Sequence, residues 1–401
     1  MVNQSLFKNR KFLLIFFAGI FAVMGFSMFL TTTTWYVVTS LGSASSLGLV
    51  LIAATVPRLL MMVFGGVLAD KYKKSTIMFF TNSIQSILLL VIFLLVSSNH
   101  MNLTLLLILA GMFGLLDAFF GPASSSMIPK IVEKSLLQKA IAYFQGVDQV
   151  AFIIGPILAG IIMEAFTVSI SYLVATILVF LSAVIIFPPF VKEGPVENQE
   201  NQHPIKDFKE GLSYVRSSSF LLTGLIVLIT VNFFIFGTLS IALPLVVDLY
   251  GGSPINLSAM EVSLGIGMAI STLVLSRIQL KRRGRASILG LFATIFSFLI
   301  FSQAPNLTLL TAIVFFIGFS MSFVYIPLFT AVQETTENRL MGRVMSIIFL
   351  SMNGFDPIAY GVVSGLISTG LSIKVTLLIF GILGLIMAIG VFVKSPKYVN
   401  G

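Results

Sequence analysis

The chain contains no cysteine in its 401 residues and only two histidines, His100 and His203. The first absence excludes disulfides and thiolate metal sites. Both histidines fall in polar segments between apolar runs, which argues against a buried imidazole relay or a His-based metal cluster. Charge is scarce as well: Asp, Glu, Lys and Arg make up 10% of the chain, hydrophobic residues 57%. A soluble protein needs about 25% charged residues to cover its surface. With a mean hydropathy of +1.05, the natural solvent of this chain is a bilayer. No Gly-x-x-x-x-Gly-Lys-(Ser/Thr), no His-Glu-x-x-His and no Ser-His-Asp set occurs. Nucleotide hydrolysis, zinc hydrolysis and enzyme chemistry in general are therefore not expected, nor is any cofactor or metal.

Apolar runs of about 20 residues recur along the whole chain, each long enough to cross a hydrocarbon core of about 30 Å as a helix. Barrel-type alternation is missing, so the spans are expected to be helical, with backbone bonds satisfied internally. Twelve are predicted, at residues 11–37, 45–68, 76–97, 102–125, 139–164, 168–190, 219–247, 257–279, 287–304, 307–331, 343–368 and 373–394. The first run is too long for a signal-peptide core and lacks a small-residue cleavage site, so it is read as a span. All of the 24 lysines and arginines except Lys374 and Arg58 lie at the termini or in even-numbered loops. This asymmetry predicts cytoplasmic termini and an even number of spans. It also accounts for the net charge of +9 without a nucleic-acid partner.

The longest hydrophilic stretch, Lys192 to Ser219, divides the spans six and six. The expected organisation is a six-helix bundle over 1–190, a cytoplasmic linker over 191–218, and a second six-helix bundle over 219–401. Within the linker, Ile205, Phe208, Leu212 and Val215 share one helical face, predicting a short amphipathic helix at the membrane interface. The halves also read as weak internal repeats, as in many secondary transporters. Gly155-Pro-Ile-Leu-Ala-Gly160 has a counterpart at Tyr360-Gly-Val-Val-Ser-Gly365, and Asp148 then falls opposite Asn353.

Charges inside spans point to mechanism, because each is costly unless it meets a partner or a wet cavity. Four stand out: Arg58, Asp117, Asp148 and Asp356. Arg58 and Asp117 are expected to pair, in a role either structural or functional. Asp148 shares a helical face with Gln145, Gln149 and Phe152, a polar stripe suited to a water-filled cavity. Asp356 precedes Pro357, and a residue before proline resists helical geometry. The helix is expected to break there, near Asn353, Asp356 and Tyr360, making a candidate substrate or ion site. Asn232 is expected to look into the same space, either as part of the site or as helix-to-helix glue. Phe113, Phe152 and Phe236, each one turn from a polar intramembrane residue, are candidate pocket aromatics. The Trp35-Tyr36 pair is expected to anchor the first span at the outer interface.

Three motifs carry a resemblance. Gly65-Gly-Val-Leu-Ala-Asp70-Lys-Tyr-Lys-Lys74 resembles the Gly-x-x-x-Asp-(Arg/Lys)-x-Gly-(Arg/Lys) signature of the major facilitator superfamily. Gly66, Asp70, Lys71 and Lys74 match, while Lys73 stands where the second glycine is usual. Gly146 and Gly155-Pro156-x-x-x-Gly160 are similar to the glycine–proline helix-packing signature of its drug:proton antiporters. Pro122-Ala-Ser-Ser-Ser-Met-Ile-Pro129 and Glu337-Asn-Arg-Leu-Met-Gly-Arg343 resemble the macrolide-efflux-like branch. The resemblance implies a cytoplasmic gate in which Asp70 meets the start of the eleventh span near Arg343. It also implies a twelve-helix alternating-access exporter of hydrophobic or amphiphilic compounds in a bacterial cytoplasmic membrane, with protons as the coupling partner. One departure stands out: the fourth span reads Ala110-Gly-Met-Phe-Gly-Leu-Leu-Asp117, without the arginine many proton-coupled relatives carry there. The alternatives are a narrow-substrate exporter of the same fold, for a siderophore or another metabolite, and a non-transporting membrane receptor or scaffold.

Overall fold

In a run without polar side chains, backbone N–H and C=O groups in lipid have only each other as partners. A computed structural model of the chain has the helices this requires. It describes the backbone of residues 6–42, 44–191, 193, 204–278, 280, 282–337, 339–396 and 398, and the side chains of the same residues apart from 44, 63–71 and 204–207. The helices are α1 (Arg10–Ser40), α2 (Ala44–Lys71), α3 (Lys74–Ser97), α4 (Leu103–Ile131), α5 (Leu137–Ala165), α6 (Val168–Ile185), α7 (Pro188–Val191), α8 (Pro204–Ser217), α9 (Ser219–Val231), α10 (Gly237–Leu249), α11 (Pro254–Leu275), α12 (Arg283–Gln303), α13 (Leu307–Thr335), α14 (Met341–Asn353), α15 (Asp356–Ser368) and α16 (Ile373–Lys394). No strand occurs among the described residues. Among the described residues, twelve spans are long and apolar enough to cross a membrane. The seventh is composite: α9 and α10 run on through a π-helical turn, Asn232–Phe236. The eleventh is α14 and α15, separated by Gly354 and Phe355.

Caps set several ends. Asn102 accepts the Leu105 N–H before α4, Asn306 the Leu309 N–H before α13, Thr167 the Ile170 N–H before α6, and Ser372 the Val375 N–H before α16. Each satisfies one of the orphan donors of a helix start.

The chain divides into two compact units, Met1–Leu41 with Leu49–Glu200, and Gly42–Gly48 with Asn201–Gly401. In the first, α1 packs against α5 and α6, and α3 against α4 and α6. Hydroxyls stitch these contacts. Thr32 and Ser171 Oγ atoms lie 2.6 Å apart, and Thr33 meets the Tyr172 hydroxyl at 3.0 Å. Asn82 donates to Ser182 at 2.7 Å, and Ser182 in turn donates to the Ala18 carbonyl. Lipid supplies no hydrophobic drive for helix association, so such bonds and close backbone approach hold the bundle. Gly155 shows the second device: a Cβ there would collide with Ser27 Oγ and the Met24 carbonyl of α1. Trp35 and Tyr36 are a correction. They are buried, not lipid-facing, because α1 continues to Ser40 and carries the pair inside the packed end of the helix.

In the second unit α13 lies between α11 and α12, and α12 packs on α16. Thr294 donates to Ser320 at 3.0 Å, and Ser263 to the Thr311 carbonyl at 2.8 Å. Beyond α16, burial pushes the Tyr398 phenol up to about 12, and its hydroxyl bonds Ser287 at 3.1 Å.

Candidate functional site

In the first unit, Arg58 Nε lies 2.8 Å from Asp117 Oδ2, joining α2 to α4. Gln85 of α3 lies beside the pair and donates to the Phe113 carbonyl at 3.2 Å. The guanidinium also sits over the Phe26 ring, 4.8 Å from its centroid. Phe26 stacks on Phe113, which packs 4.3 Å from Phe29. Phe113 is thus enclosed in the core beneath the ion pair.

Asp148 is placed differently. It is half-buried on α5 facing α1, where its Oδ1 would lie 3.6 Å from a Cβ at Gly19. Gln145, Gln149 and Phe152 on the same helix are exposed. Among the described residues no lysine or arginine pairs with Asp148. Pro156 and Gly160, one and two turns beyond Phe152, are buried beside Gly155.

The second unit holds a separate polar group. Asn232 opens the π turn and is buried; its Nδ2 donates to the Leu228 carbonyl at 2.8 Å. Its Oδ1 accepts the Tyr325 hydroxyl of α13 at 3.0 Å. Tyr325 lies within electrostatic reach of Asp356, the first residue of α15. Asp356 is only 5% exposed, and its Oδ1 has no hydrogen-bond partner among the described residues. The expected helix break is present: α14 ends at Asn353, whose amide donates back to the Phe349 carbonyl, and Pro357 sits in the first turn of α15. Tyr360 is buried one turn on, and Phe236 is half-buried at the end of the π turn. The turn exists because one extra residue is accommodated between α9 and α10. The Gly237 N–H reaches back to the Asn232 carbonyl, and the Thr238 hydroxyl bonds that of Phe233.

At the helix ends, Lys74 is 2% exposed and lies 4.0 Å from Glu193, which also accepts from the Ser75 N–H and hydroxyl. The side chains of Gly66, Asp70 and Lys71 lie outside the described residues, so the gate contact expected from Asp70 does as well. Arg343 pairs with Glu210 of α8, which also binds Arg339 at 2.8 Å. Tyr214 of α8 donates to the Thr335 carbonyl. Tyr325, Gln85, Phe26, Glu193 and Glu210 were not singled out in the sequence. For Tyr325 a signal existed: it is the single tyrosine of a phenylalanine-rich span.

A family model described as Major Facilitator Superfamily matches residues 15–355. Among curated relatives, macrolide efflux protein A of Streptococcus pyogenes is 24% identical over 388 residues, 88% of each chain. Multidrug efflux pump Tap of Mycolicibacterium fortuitum is 24% identical, over 95% of this chain and 96% of its own. The staphyloferrin A transporter of Staphylococcus aureus is 23% identical over 79% of each. Among solved structures, nucleoside transporter NupG superposes with a TM-score of 0.72 at 16% identity, covering 96% of this chain and 98% of that one. That likeness is one of fold.

Proposed function

The chain belongs to the major facilitator superfamily, is a multi-pass membrane transporter of small molecules and not an enzyme, and we propose that it exports hydrophobic or amphiphilic compounds by proton antiport. The observation that carries this reading is the surface of α5. In a helix that spans the membrane, a half-buried carboxylate at Asp148 is flanked by exposed Gln145, Gln149 and Phe152. Carboxamides and a carboxylate do not face hydrocarbon, so this surface borders a wet pathway. There an aromatic ring offers an amphiphile an apolar contact, and the carboxylate offers a proton site. Alternating access follows when the charge on Asp148 or Asp356 changes with the side to which the pathway opens. The similarity to macrolide efflux protein A and to Tap supports the substrate class. Protons are the proposed coupling partner, and both termini are placed in the cytoplasm.

A second reading, export of one metabolite such as a siderophore, is favoured by the similarity to the staphyloferrin A transporter. Everted membrane vesicles separate the two. With an inward-acid gradient established, dyes and macrolides are added singly while lumenal pH is followed. Broad export predicts that several unrelated compounds dissipate the gradient only when the protein is present, and that Asp148→Asn or Asp356→Asn abolishes the response. A response to no lipophilic compound removes the multidrug reading. Labelled compounds that exchange without moving protons remove antiport.

A further inference from the structure

We infer that Arg58 is an anion-binding residue of the transport pathway, its two terminal guanidinium nitrogens taking a carboxylate or a similar acidic group of an amphiphilic cargo. The inference deepens the export reading and rests on it for the passage of cargo along this surface.

The backbone dictates where Arg58 stands. Gly114 of α4 lies so near α2 that a Cβ there would collide with the Ala54 carbonyl, and Gly111, one turn earlier, faces the Ala53 carbonyl. Small residues let two helices in lipid close up in this way. One turn further along each helix, Arg58 and Asp117 come side by side. Arg58 occupies the middle of the 28 residues of α2. About 20 Å of helix separates it from either end, more than an arginine bridges by snorkelling. A guanidinium at that depth, 38% exposed, does not face hydrocarbon. Its open side therefore borders a wet space.

What holds the guanidinium leaves its hydrogen-bonding capacity unused. Asp117 meets it at Nε, 2.8 Å away, yet the Nε–H has no hydrogen-bond partner among the described residues, so the contact is one of charge. Its carbon sits over the Phe26 ring of α1. No described residue accepts a hydrogen bond from either terminal nitrogen. A guanidinium carries five donors in a planar fork that matches paired acidic oxygens. Donors left over at an exposed edge are what a carboxylate takes up bidentately. Asp117 neutralises Arg58 while no anion is bound and competes with one that arrives. Among the described residues it is the only acid paired with Arg58.

The surroundings suit an amphiphile. Phe26 is half-buried, stacked on the enclosed Phe113, and its exposed part gives a nonpolar tail a surface beside the fork. Gly19, which Asp148 approaches, and Phe26, beneath Arg58, lie seven residues apart on one face of α1. That is two turns, about 10 Å along the axis. An acidic cargo on Arg58 is thus held near, but not against, the carboxylate proposed to carry the proton.

Equilibrium binding tests this, with the full-length protein in phosphatidylcholine nanodiscs and two fluorescent probes of one shape, pyrenebutyrate and pyrenebutanol. Only the first carries a carboxylate. The parent should bind the carboxylate about tenfold tighter than the alcohol, as charge-assisted hydrogen bonds provide. Arg58→Gln should erase that preference and leave the affinity for the alcohol unchanged, a split that a merely structural Arg58 would not give. Arg58→Lys keeps the charge without the fork and should retain a preference of about threefold at most. Asp117→Asn, which removes the competing charge, should widen the preference. Should Arg58→Gln fail to fold, Arg58→Lys decides. The inference is overturned if the parent shows no preference, if Arg58→Gln keeps it, or if that variant weakens both probes alike. Full preference in Arg58→Lys, or none gained in Asp117→Asn, overturns it equally. So does displacement of pyrenebutyrate by phosphatidylglycerol at a few mole per cent in the same discs, which would assign the fork to a lipid headgroup. Binding needs no gradient, so it is read separately from antiport. If the preference behaves as expected while everted vesicles show no substrate-driven proton movement, antiport falls and this site stands. Proton-coupled export by a protein that binds the two probes equally does the reverse.

Discussion

A charge in hydrocarbon is costly by several kcal/mol unless it finds a partner, and Arg58 and Asp117 are each other's partner at 2.8 Å. Arg58→Met leaves the Asp117 carboxylate without its cation. The expected loss is about 2 kcal/mol, below the roughly 3–5 kcal/mol of a fully buried pair, because Arg58 is 38% exposed. Arg58→Met with Asp117→Leu should recover most of it, since an apolar pair leaves no orphaned charge. Thermal unfolding in detergent reads both, and a double variant no more stable than the single one would show that the pair is not what holds α2 to α4. This contact was anticipated from the sequence: Arg58 is the one cation among the four charges expected inside spans, and the family resemblance puts its helix beside that of Asp117. Tyr325 was legible only as the lone tyrosine of a phenylalanine-rich span, since nothing in its local sequence names Asn232. Phe113 was legible only as an aromatic near a charge. That it lies beneath the pair, against Phe29, depends on the rotation of α4. Trp35 and Tyr36 were taken for interface anchors by their residue type near the end of the span, but neighbouring helices cover them.

At the scale of the element, glycines in α5 carry two different roles that look alike in a sequence. Gly155 abuts the backbone of α1, whereas a Cβ on Gly146 would meet nothing within 4 Å. Gly155→Val should therefore overpack the contact, costing about 3 kcal/mol, the upper end for added core volume. Gly146→Ala should stay within about 0.5 kcal/mol of the parent, as at an uncrowded surface position. Relative unfolding temperatures and the yield of monodisperse protein check the pair. Equal losses at both sites would mean the α1–α5 contact is not set by Gly155. The break before Pro357 was legible from covalent sterics alone. The π turn at Asn232–Phe236 was not, since no residue type marks where a helix absorbs one extra residue. It packs against α15 and α16, and its Asn232 accepts from Tyr325 of α13.

For the whole molecule, the two units carry the same opening in one place. Leu-Thr-Leu-Leu begins α4 after Asn102 and α13 after Asn306, both helices are 29 residues long, and each asparagine caps its helix in the same way. These are the fourth and tenth spans, and a repeat offset by six spans runs in the same direction in the membrane. An even number of spans puts both termini on one side, and the lysine and arginine distribution supports the proposal that this side is the cytoplasm. The chain has no cysteine of its own, so single introduced cysteines report without background. Lys374→Cys should react with an impermeant maleimide in intact cells, while Lys139→Cys and Lys209→Cys should react only once the membrane is opened. Reaction of Lys209→Cys in intact cells would invert the chain. Asp148 and Asp356 would then meet the high-proton side through the opposite opening, but the proposed antiport would still export, because the proton gradient and not the orientation of the chain sets the direction of exchange.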